Sequence, residues 1–415
     1  MRLSRSIFVP LGMILAVMPD PVSAQSAAGR LTLDDAVALA VRANPVLRVK
    51  QFEYQAVGAN EITAGLRPNP TATYLAEQFG GGSASQVQHT FSIGQPIELG
   101  GKRQRRLESA RAATRVTGHE LEDVRRQILF QVKKAFTDAL VAREGLSLVE
   151  QNMRALDDLE RIQRFRAEKG DISELELLRI EVQRFALERD AADARQTLRV
   201  ARIAVRAATD PAQVAEDFEV VGELVDRDVA PAAADLYRQA LDHRPDLRAA
   251  EAARAKARAD VGLARANAWW DVTPQVEYQR IGPDNTIGFG ISVPLRIFDR
   301  NQGEIARARA ETQRVDAVRE AMAVQVLSEV DTALAALRTE RQKLDLLRDV
   351  YLPKARRARD TVEFAYRRGG VSLLDYLDAQ RTYRDTTTEF VRSLGNYWTA
   401  YYQLEAAVGG SLGEN

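Results

Sequence analysis

Residues 286–295 have the sequence TIGFGISVPL and alternate between apolar and small or polar side chains. One face of such a strand would carry Ile287, Phe289, Ile291, Val293 and Leu295, and the other would carry Thr286, Gly288, Gly290 and Ser292. A period of two residues predicts a β-strand with one apolar face. A half-buried strand of a soluble sheet would show the same alternation, so the surroundings of this stretch have to decide between the two environments.

Three further segments predict strands that accompany this one. Residues 86–95 alternate in the same way, whereas residues 71–79 and 272–280 alternate less regularly. Glycine-rich or Gly-Pro-Asp-Asn turns at residues 80–83 and 282–285 separate the members of each pair, which predicts two hairpins. Each strand is about ten residues long, the length that a tilted strand needs to cross a bilayer.

The two halves of the chain repeat each other at an offset near 200 residues. Residues 42–48 (RANPVLR) parallel 242–248 (DHRPDLR), residues 91–97 (FSIGQPI) parallel 289–295 (FGISVPL), and residues 170–176 (GDISELE) parallel 369–375 (GGVSLLD). Three matches in the same order predict an internal duplication. We expect a first repeat at residues 25–208, a linker at 209–231 and a second repeat at 232–415.

Each repeat follows one plan, with two helices, two strands, a very long helix and a returning helix. Pro45 and Pro245 stand where the second helix opens, a position that tolerates proline. The long helix covers about 65 residues, or about 100 Å at 1.5 Å per residue. The sequence therefore predicts a mainly α-helical fold of long antiparallel helical hairpins with a small β contribution. A soluble coiled coil would share the helical part of this pattern.

The first 24 residues predict a secretory signal peptide. Arg2 and Arg5 precede an apolar run at residues 7–17, and small residues at 22–24 form a cleavage site. No later stretch of about 18 apolar residues predicts a membrane-spanning helix. Insertion into a membrane would therefore use the strands, and four strands cannot close a barrel in lipid. We expect three copies to share a twelve-stranded barrel, since twelve is an even number in the bacterial range.

Composition argues against several other classes of protein. Lysine plus arginine and aspartate plus glutamate each number 58, so the net charge of zero gives no signal for nucleic acid binding. The chain has no cysteine, and its three histidines, His89, His119 and His243, are not at ligand spacing. We expect no catalytic residues, no metal site and no cofactor.

Two motifs resemble the TolC family of outer membrane efflux factors, and the likeness covers the whole mature chain. Residues 95–103 (QPIELGGKR) are similar to the strand-to-helix junction of the factors that serve cobalt-zinc-cadmium efflux pumps. Residues 366–379 (YRRGGVSLLDYLDA) resemble the family's last periplasmic helical hairpin. The resemblance implies a passive trimeric outer membrane channel whose helices form an α-barrel in the periplasm. It also implies two protein partners, a periplasmic adaptor and an inner membrane resistance-nodulation-division pump, beside the outer membrane lipid.

The resemblance also implies roles for individual residues. Asp375 and Asp378 match two acids that form rings around the channel entrance, and Tyr366 matches a tyrosine that holds the closed state. The residues at the hairpin tips, implied to contact the adaptor, are Gly170, Ser173, Gly369 and Ser372. Val371 departs from the family's best-known member, which has arginine there. Acids in the first turn of a helix also stabilise its dipole, so this second interpretation of the two aspartates stays open.

Several functions remain open from the sequence. The junction motif favours divalent metal cations as the exported substrate, while a drug-efflux or protein-secretion duct of the same architecture is the alternative. A periplasmic structural coiled coil without a channel would need no lipid-facing strands. An exported enzyme would require a reactive residue that the sequence does not reveal.

Overall fold

The computed structural model describes residues 29–79, 87–170, 172–226 and 233–412. The predicted signal peptide and the predicted turn at 80–83 lie outside the described residues, as do residues 227–231 of the predicted linker. The chain is mainly helical, as the sequence predicts. None of the described helices is both long enough and apolar enough to cross a membrane.

The first half begins with a two-residue strand and two helices, and then forms a hairpin and two long helices. In order these are β1 (Arg30–Leu31), α1 (Leu33–Ala43), α2 (Pro45–Gly65), β2 (Thr71–Glu77), β3 (Gln88–Gly94), α3 (Lys102–Glu168) and α4 (Glu174–Ala208). A second two-residue strand, β4 (Glu219–Val220), follows and pairs in parallel with β1. This pairing of β1 with β4 has no counterpart in the sequence prediction.

The second half repeats the plan. Its elements are α5 (Ala233–His243), α6 (Pro245–Ala266), β5 (Thr273–Ile281), β6 (Asp284–Ser292), α7 (Gln302–Leu346), α8 (Leu352–Arg367) and α9 (Leu373–Val408). A π-helical turn, Leu347–Tyr351, joins α7 to α8 without a break. The turn precedes Pro353, which has no N–H to donate to the preceding turn, and such a loss is relieved by a local change of helical pitch.

Side chains at equivalent positions connect the second helix of each half to the last helix of that half. Asn44 caps α2 by accepting from the N–H groups of Val46 and Leu47, and its amide donates to the carbonyl of Ala208 at 2.8 Å. Arg244, 200 positions later, donates to the carbonyl of Ala407 at 3.2 Å. Each buried side chain thus ties the start of the second helix in its half to the end of the last helix.

The four longer strands form one antiparallel sheet in the order β2-β3-β5-β6. The two predicted hairpins are therefore joined by the pairing of β3 with β5. The strands are seven or nine residues long, shorter than predicted, and β6 ends at Ser292, two residues before Pro294. Proline cannot donate to a ladder, which accounts for that early end.

The register of the sheet separates apolar from polar side chains. One row across all four strands contains Tyr74, Phe91, Tyr278 and Ile287, and the next row on that face contains Ala72, Ile93, Val276 and Phe289. The row between them, on the opposite face, contains Thr73, Ser92, Glu277 and Gly288. The apolar face is exposed, Phe289 to 83%.

The helices form one layer that runs away from the sheet. Near the sheet, α3 lies between α2 and α6, and α7 packs on the far side of α6. Farther away, α3 lies between α4 and α9, and α7 and α8 pack on α9. The layer therefore has two edges, with α2 and α4 along one and α7 and α8 along the other.

A strap, residues 209–226, crosses this layer at mid-length. Arg206 of α4 donates to the carbonyl of Val214, and Arg143 of α3 donates to the carbonyls of Val220 and Gly222. Farther along, the indole of Trp398 in α9 donates to the carbonyl of Val225, and Arg341 of α7 and Arg348 of the π-helical turn bind Asp226. Leu224 packs against two hydrophobic clusters, one in each half. The described part of the predicted linker is thus a bound structural segment.

Candidate functional site

The two helical hairpins end in the same kind of turn at the end of the layer opposite the sheet. Gly170 and Gly369 both have positive φ, 79° and 76°, a conformation that favours glycine. Ser173 and Ser372 follow three residues later as the N-cap residues of α4 and α9. The structure therefore places the four predicted tip residues at equivalent positions.

The two serines differ in their contacts. Ser372 forms a capping box with Asp375, whose carboxylate accepts from the Ser372 backbone N–H at 3.0 Å and from its hydroxyl at 2.7 Å. These hydrogen bonds hold the pKa of Asp375 below its usual value. Ser173 makes no side-chain capping bond in the described hairpin. Only the second hairpin therefore has a helix start fixed in this way.

Asp378 lies one turn beyond Asp375 on α9, and both side chains are exposed in the single chain. Residues three apart share a face of a helix, as the sequence predicts for these two acids. Asp375 contributes to the start of α9 through its capping contacts. Repulsion between neighbouring carboxylates in a ring would raise the pKa of Asp375, which is opposite to the lowering in the single chain. Asp378 makes no such local contact within the described residues.

Tyr366 connects the two hairpins. Its hydroxyl accepts a 2.7 Å hydrogen bond from Nε2 of Gln163 on α3, and its ring stacks on Tyr376 of α9 with a centroid distance of 4.9 Å. Burial raises the pKa of both Tyr366 and Tyr376, so both hydroxyls are protonated at neutral pH. Gln163 is 1% exposed, and its Oε1 has no hydrogen-bond partner among the described residues.

A hydrophobic cluster surrounds this contact. Its buried members are Leu156, Leu159, Ile180, Leu187 and Leu373, which come from α3, α4 and α9. Beside the cluster, Glu160 of α3 accepts from Arg184 of α4 at 2.7 Å, and this hydrogen bond lowers the pKa of Glu160. The first hairpin is thus held together by an ion pair as well as by apolar contacts.

Sequence reasoning missed Gln163 and Tyr376. A groove of about 700 Å³ between α3, α8 and α9 contains both residues together with Tyr366. Gln163 and Tyr366 are 203 positions apart, so no local pattern connects them. Tyr376 lies inside the quoted hairpin motif, where its aromatic character was the one available signal.

The junction motif at residues 95–103 fixes the passage from sheet to helix. Gly100 has positive φ, and a Cβ there would lie 2.6 Å from the ring of Trp269. Lys102 is buried and binds both oxygens of Asp271 at 2.7 Å, while Glu98 forms an ion pair with Arg106. The motif therefore joins β3 and α3 to the start of β5. No group of three or more His, Cys, Asp or Glu residues in the described ranges is arranged to hold a metal ion.

Known proteins are similar to this chain in sequence. The chain is 27% identical to the cobalt-zinc-cadmium resistance protein CzcC of Cupriavidus metallidurans, over 98% of this chain and 100% of that protein. It is 26% identical to the nickel-cobalt-cadmium resistance protein NccC of Alcaligenes xylosoxydans xylosoxydans, over 66% of this chain and 64% of that protein.

Solved structures match over almost the full length. A membrane protein from Pseudomonas aeruginosa gives a TM-score of 0.77 at 21% identity and covers 94% of this chain and 93% of its own. CusC gives 0.75 at 17% identity, covering 91% of this chain and 92% of its own. The open state of the Neisseria gonorrhoeae MtrE outer membrane channel gives 0.75 at 20% identity, covering 92% and 89%. These likenesses show the fold.

A model of one family matches both halves separately. It is described as "Outer membrane efflux protein" and covers residues 37–210 and 236–410, so it matches each predicted repeat once. The match confirms the resemblance inferred from the two sequence motifs, and the family is one of channel proteins and not of enzymes. This chain therefore belongs to the outer membrane efflux protein family.

Proposed function

We propose that the protein is the passive outer membrane channel of a tripartite efflux system and works as a homotrimer. The observation that carries this proposal is that both layers of the single chain, the sheet and the helices, have open edges that match each other.

The sheet leaves β2 and β6 as edge strands, each with one row of backbone N–H and C=O groups unpaired within the described chain. Lipid offers no hydrogen bonds to such groups, so an open edge is not stable in a bilayer. The apolar row through Tyr74 and Phe91 suits lipid, and the row through Thr73 and Ser92 suits water. Pairing of β6 of one copy with β2 of the next satisfies both edges.

Helix α4 has two apolar faces on opposite sides. The buried face contains Ile180, Leu187, Ala191, Leu198 and Val205 and packs on α3. The exposed apolar stripe contains Leu175, Leu178, Val182 and Phe185, with Val182 73% exposed. At about 100° per residue, the stripe lies about 180° from the buried face. A helix that is apolar on two opposite sides is typical of one that packs between two neighbours.

The other edge of the layer offers the complementary surface. Val324 and Leu346 of α7 are exposed, and Val326 and Leu344 are buried on the opposite side. Packing the α7–α8 edge of one copy against the α2–α4 edge of the next covers exposed apolar side chains on both edges. The same arrangement of two copies brings β6 of one next to β2 of the other. This follows because β2 lies on the side of the chain that also carries α2 and α4, and β6 lies on the side that carries α7 and α8.

A head-to-tail contact of this kind forms a ring when the rotation from one copy to the next closes, as it does in the proposed trimer. Three copies of a four-stranded sheet make a twelve-stranded barrel, an even number in the range of bacterial outer membrane barrels. The helices continue the ring as an α-barrel in the periplasm. Water fills the lumen, lined by the polar row of the sheet.

The hairpin tips form the entrance in this proposal. Asp375 and Asp378 contribute an acidic ring that favours cations. Tyr366 holds the closed state through its contacts with α3 and α9. Gly170, Ser173, Gly369 and Ser372 meet a periplasmic adaptor, which connects the channel to an inner membrane resistance-nodulation-division pump. Divalent metal cations are the proposed substrate, because the names of two relatives describe resistance to cobalt and cadmium.

Two measurements on the mature protein in detergent test the proposal. Native mass spectrometry is expected to give a trimer, and planar bilayers are expected to show discrete conductance steps. A protein that stays monomeric or dimeric in water and gives no conductance would be a structural coiled coil instead. Metal transport is tested separately, by the survival of cells that express the channel with its pump at raised Zn²⁺, Co²⁺ or Cd²⁺.

A further inference from the structure

Four arginines form a continuous ridge on α4 near the strap. Arg195, Arg199, Arg202 and Arg206 follow one another at intervals of four, three and four residues. This spacing places them on one face of the helix, over a length of about 16 Å. We call this set the arginine ridge.

Two of the four ridge arginines differ from Arg184 on the same helix, because they have no carboxylate partner among the described residues. Nearer the hairpin tip on the same helix, Arg184 binds Asp157, Glu160 and Glu188. In the ridge, Arg195 reaches Glu150 only at 3.8 Å and Arg206 reaches Glu216 at 3.5 Å. Arg199 and Arg202 form no ion pair with the carboxylates of the described segments, and Nε of Arg202 is shielded from solvent without an acceptor. Such a buried donor favours an added anionic group.

A groove of about 530 Å³ runs beside the ridge. Leu146 of α3 and Leu198 of α4 contribute apolar surface, and Ile203 adds an exposed apolar side chain. The strap forms the far wall with Glu216 and Asp217. The α4 side of the groove therefore combines a row of guanidinium groups with apolar surface, while the strap side is acidic. An amphipathic helix that turns its acidic edge to α4 and away from the strap complements this pattern.

The ridge stays accessible in a ring of copies. At about 100° per residue, its face lies about 100° from the exposed apolar stripe through Val182 and Phe185. It lies on the side of the layer that the strap also occupies, because Arg206 binds the strap itself. A neighbouring copy packed on the stripe leaves the ridge free.

We propose that the arginine ridge and its groove dock an acidic amphipathic helix of a partner protein at mid-length of the periplasmic barrel. The proposal rests on the proposed function, because a ring in which the neighbouring copy covers the exposed apolar stripe of α4 leaves this face uncovered. Arginines that repeat once per turn match carboxylates that repeat at the same interval on a helix lying alongside α4. Bidentate Arg–carboxylate pairs fix the register, and Ile203 meets the apolar edge of the partner.

The test uses the assembled protein in detergent and a fluorescent helical peptide. The peptide has glutamates at intervals of four, three and four residues beside a leucine stripe, and a scrambled peptide has the same composition. Anisotropy titrations compare the wild type with the double variant Arg199→Gln/Arg202→Gln. The matched control is Arg161→Gln/Arg189→Gln, which removes two arginines that already pair with Asp158 and Asp190.

We expect the ridge variant to bind the peptide at least about tenfold more weakly, as the loss of two charge-assisted pairs implies, and the control to bind as the wild type does. Wild-type binding should weaken as salt rises. Equal binding by the ridge variant, equal binding of the scrambled peptide, or no binding to the wild type would overturn the docking proposal. Conductance is measured on the same preparations, since a wild type without conductance contradicts the channel, whereas conductance without peptide binding contradicts the docking site alone.

Discussion

Gln163 and Tyr366 form a direct hydrogen bond, 2.7 Å from amide Nε2 to phenol oxygen, between two helical hairpins that belong to different halves of the chain. The ring of Tyr366 makes a second contact, since it stacks on the ring of Tyr376 in α9. The hydroxyl and the ring of Tyr366 therefore bind different hairpins, and substitution can separate their effects.

Replacing Tyr366 with Phe removes the hydrogen bond and keeps the stacked ring. If the contact holds the tip closed, Tyr366→Phe and Gln163→Leu should each raise the mean conductance in planar bilayers, and the double variant should add little to either. Tyr383→Phe is the control, because Tyr383 lies in the same groove without a hydroxyl hydrogen bond to the described residues. Independent, additive increases would show that the two residues do not act through one contact.

The two acids of α9 should respond differently to substitution. Asp378→Asn removes charge without touching the capping box, so we expect lower cation selectivity, measured as the reversal potential in a KCl gradient, and unchanged thermal stability. Asp375→Ala also breaks the capping box and should lower the free energy of unfolding by about 1 kcal/mol. Unchanged reversal potentials in both variants would leave Asp375 with its capping role only and would remove Asp378 from the entrance.

The ion pairs of Arg244 should make the free energy of unfolding depend on pH in the acid range. It is 2% exposed and binds Asp246 and Glu329, so Arg244→Ala leaves two carboxylates without a buried partner and should cost about 3 kcal/mol. Although burial alone would raise the pKa of Asp246, hydrogen bonding to Arg244 lowers it below 3.8. The stabilisation is therefore present above pH 3.8 and is lost as pH falls through the lower, folded-state pKa.

Thermal unfolding followed by circular dichroism from pH 7 to pH 2 checks this prediction. The stability difference between the wild type and Arg244→Ala should stay constant down to about pH 4 and then narrow. Asn44→Ala, at the equivalent position of the first half, should give a pH-independent loss, since its hydrogen bonds involve no titrating group. A difference that grows on acidification would contradict the assignment to Asp246.

Gly395 permits α9 to approach α3 closely. A Cβ at this position would overlap Cγ2 of Val141, so Gly395→Ala should destabilise the chain by about 1–3 kcal/mol. Val141→Ala in the same chain should recover most of the loss. Gly145→Ala is the control: it has open space within its helix and should be neutral or stabilising. Failure of Val141→Ala to rescue would mean that another contact limits residue 395.

Much of the fold was accessible from sequence because its signals are local or repeated. Alternation placed the strands to within about three residues, and the matched Gly and Ser positions located both hairpin tips. The strap was different. Its residues 209–226 were predicted as a linker, since most of the side chains that bind it lie 77 to 173 positions away in the sequence. The π-helical turn also went unpredicted, because Pro353 alone does not say whether a helix breaks, bends or widens there.

The site was predicted less completely than the fold. Family likeness indicated Tyr366, Asp375 and Asp378, but Gln163 does not follow from that likeness. Contacts between hairpins depend on how α3, α8 and α9 are packed at one level, and that packing is set by the hydrophobic cluster around Ile180 and Leu373. Residue spacing within one helix contains no information about it.

The strap is held through its main chain as well as through the buried side chains of Val214, Phe218 and Val220. Arg206, Arg143 and Trp398 all donate to backbone carbonyl oxygens of residues 211–225, and every amino acid supplies such an oxygen. These hydrogen bonds therefore fix the path of the strap without depending on the residue type of the acceptor. The three donors, in contrast, cannot be exchanged for residues that lack a side-chain N–H group without loss of the crossing contacts.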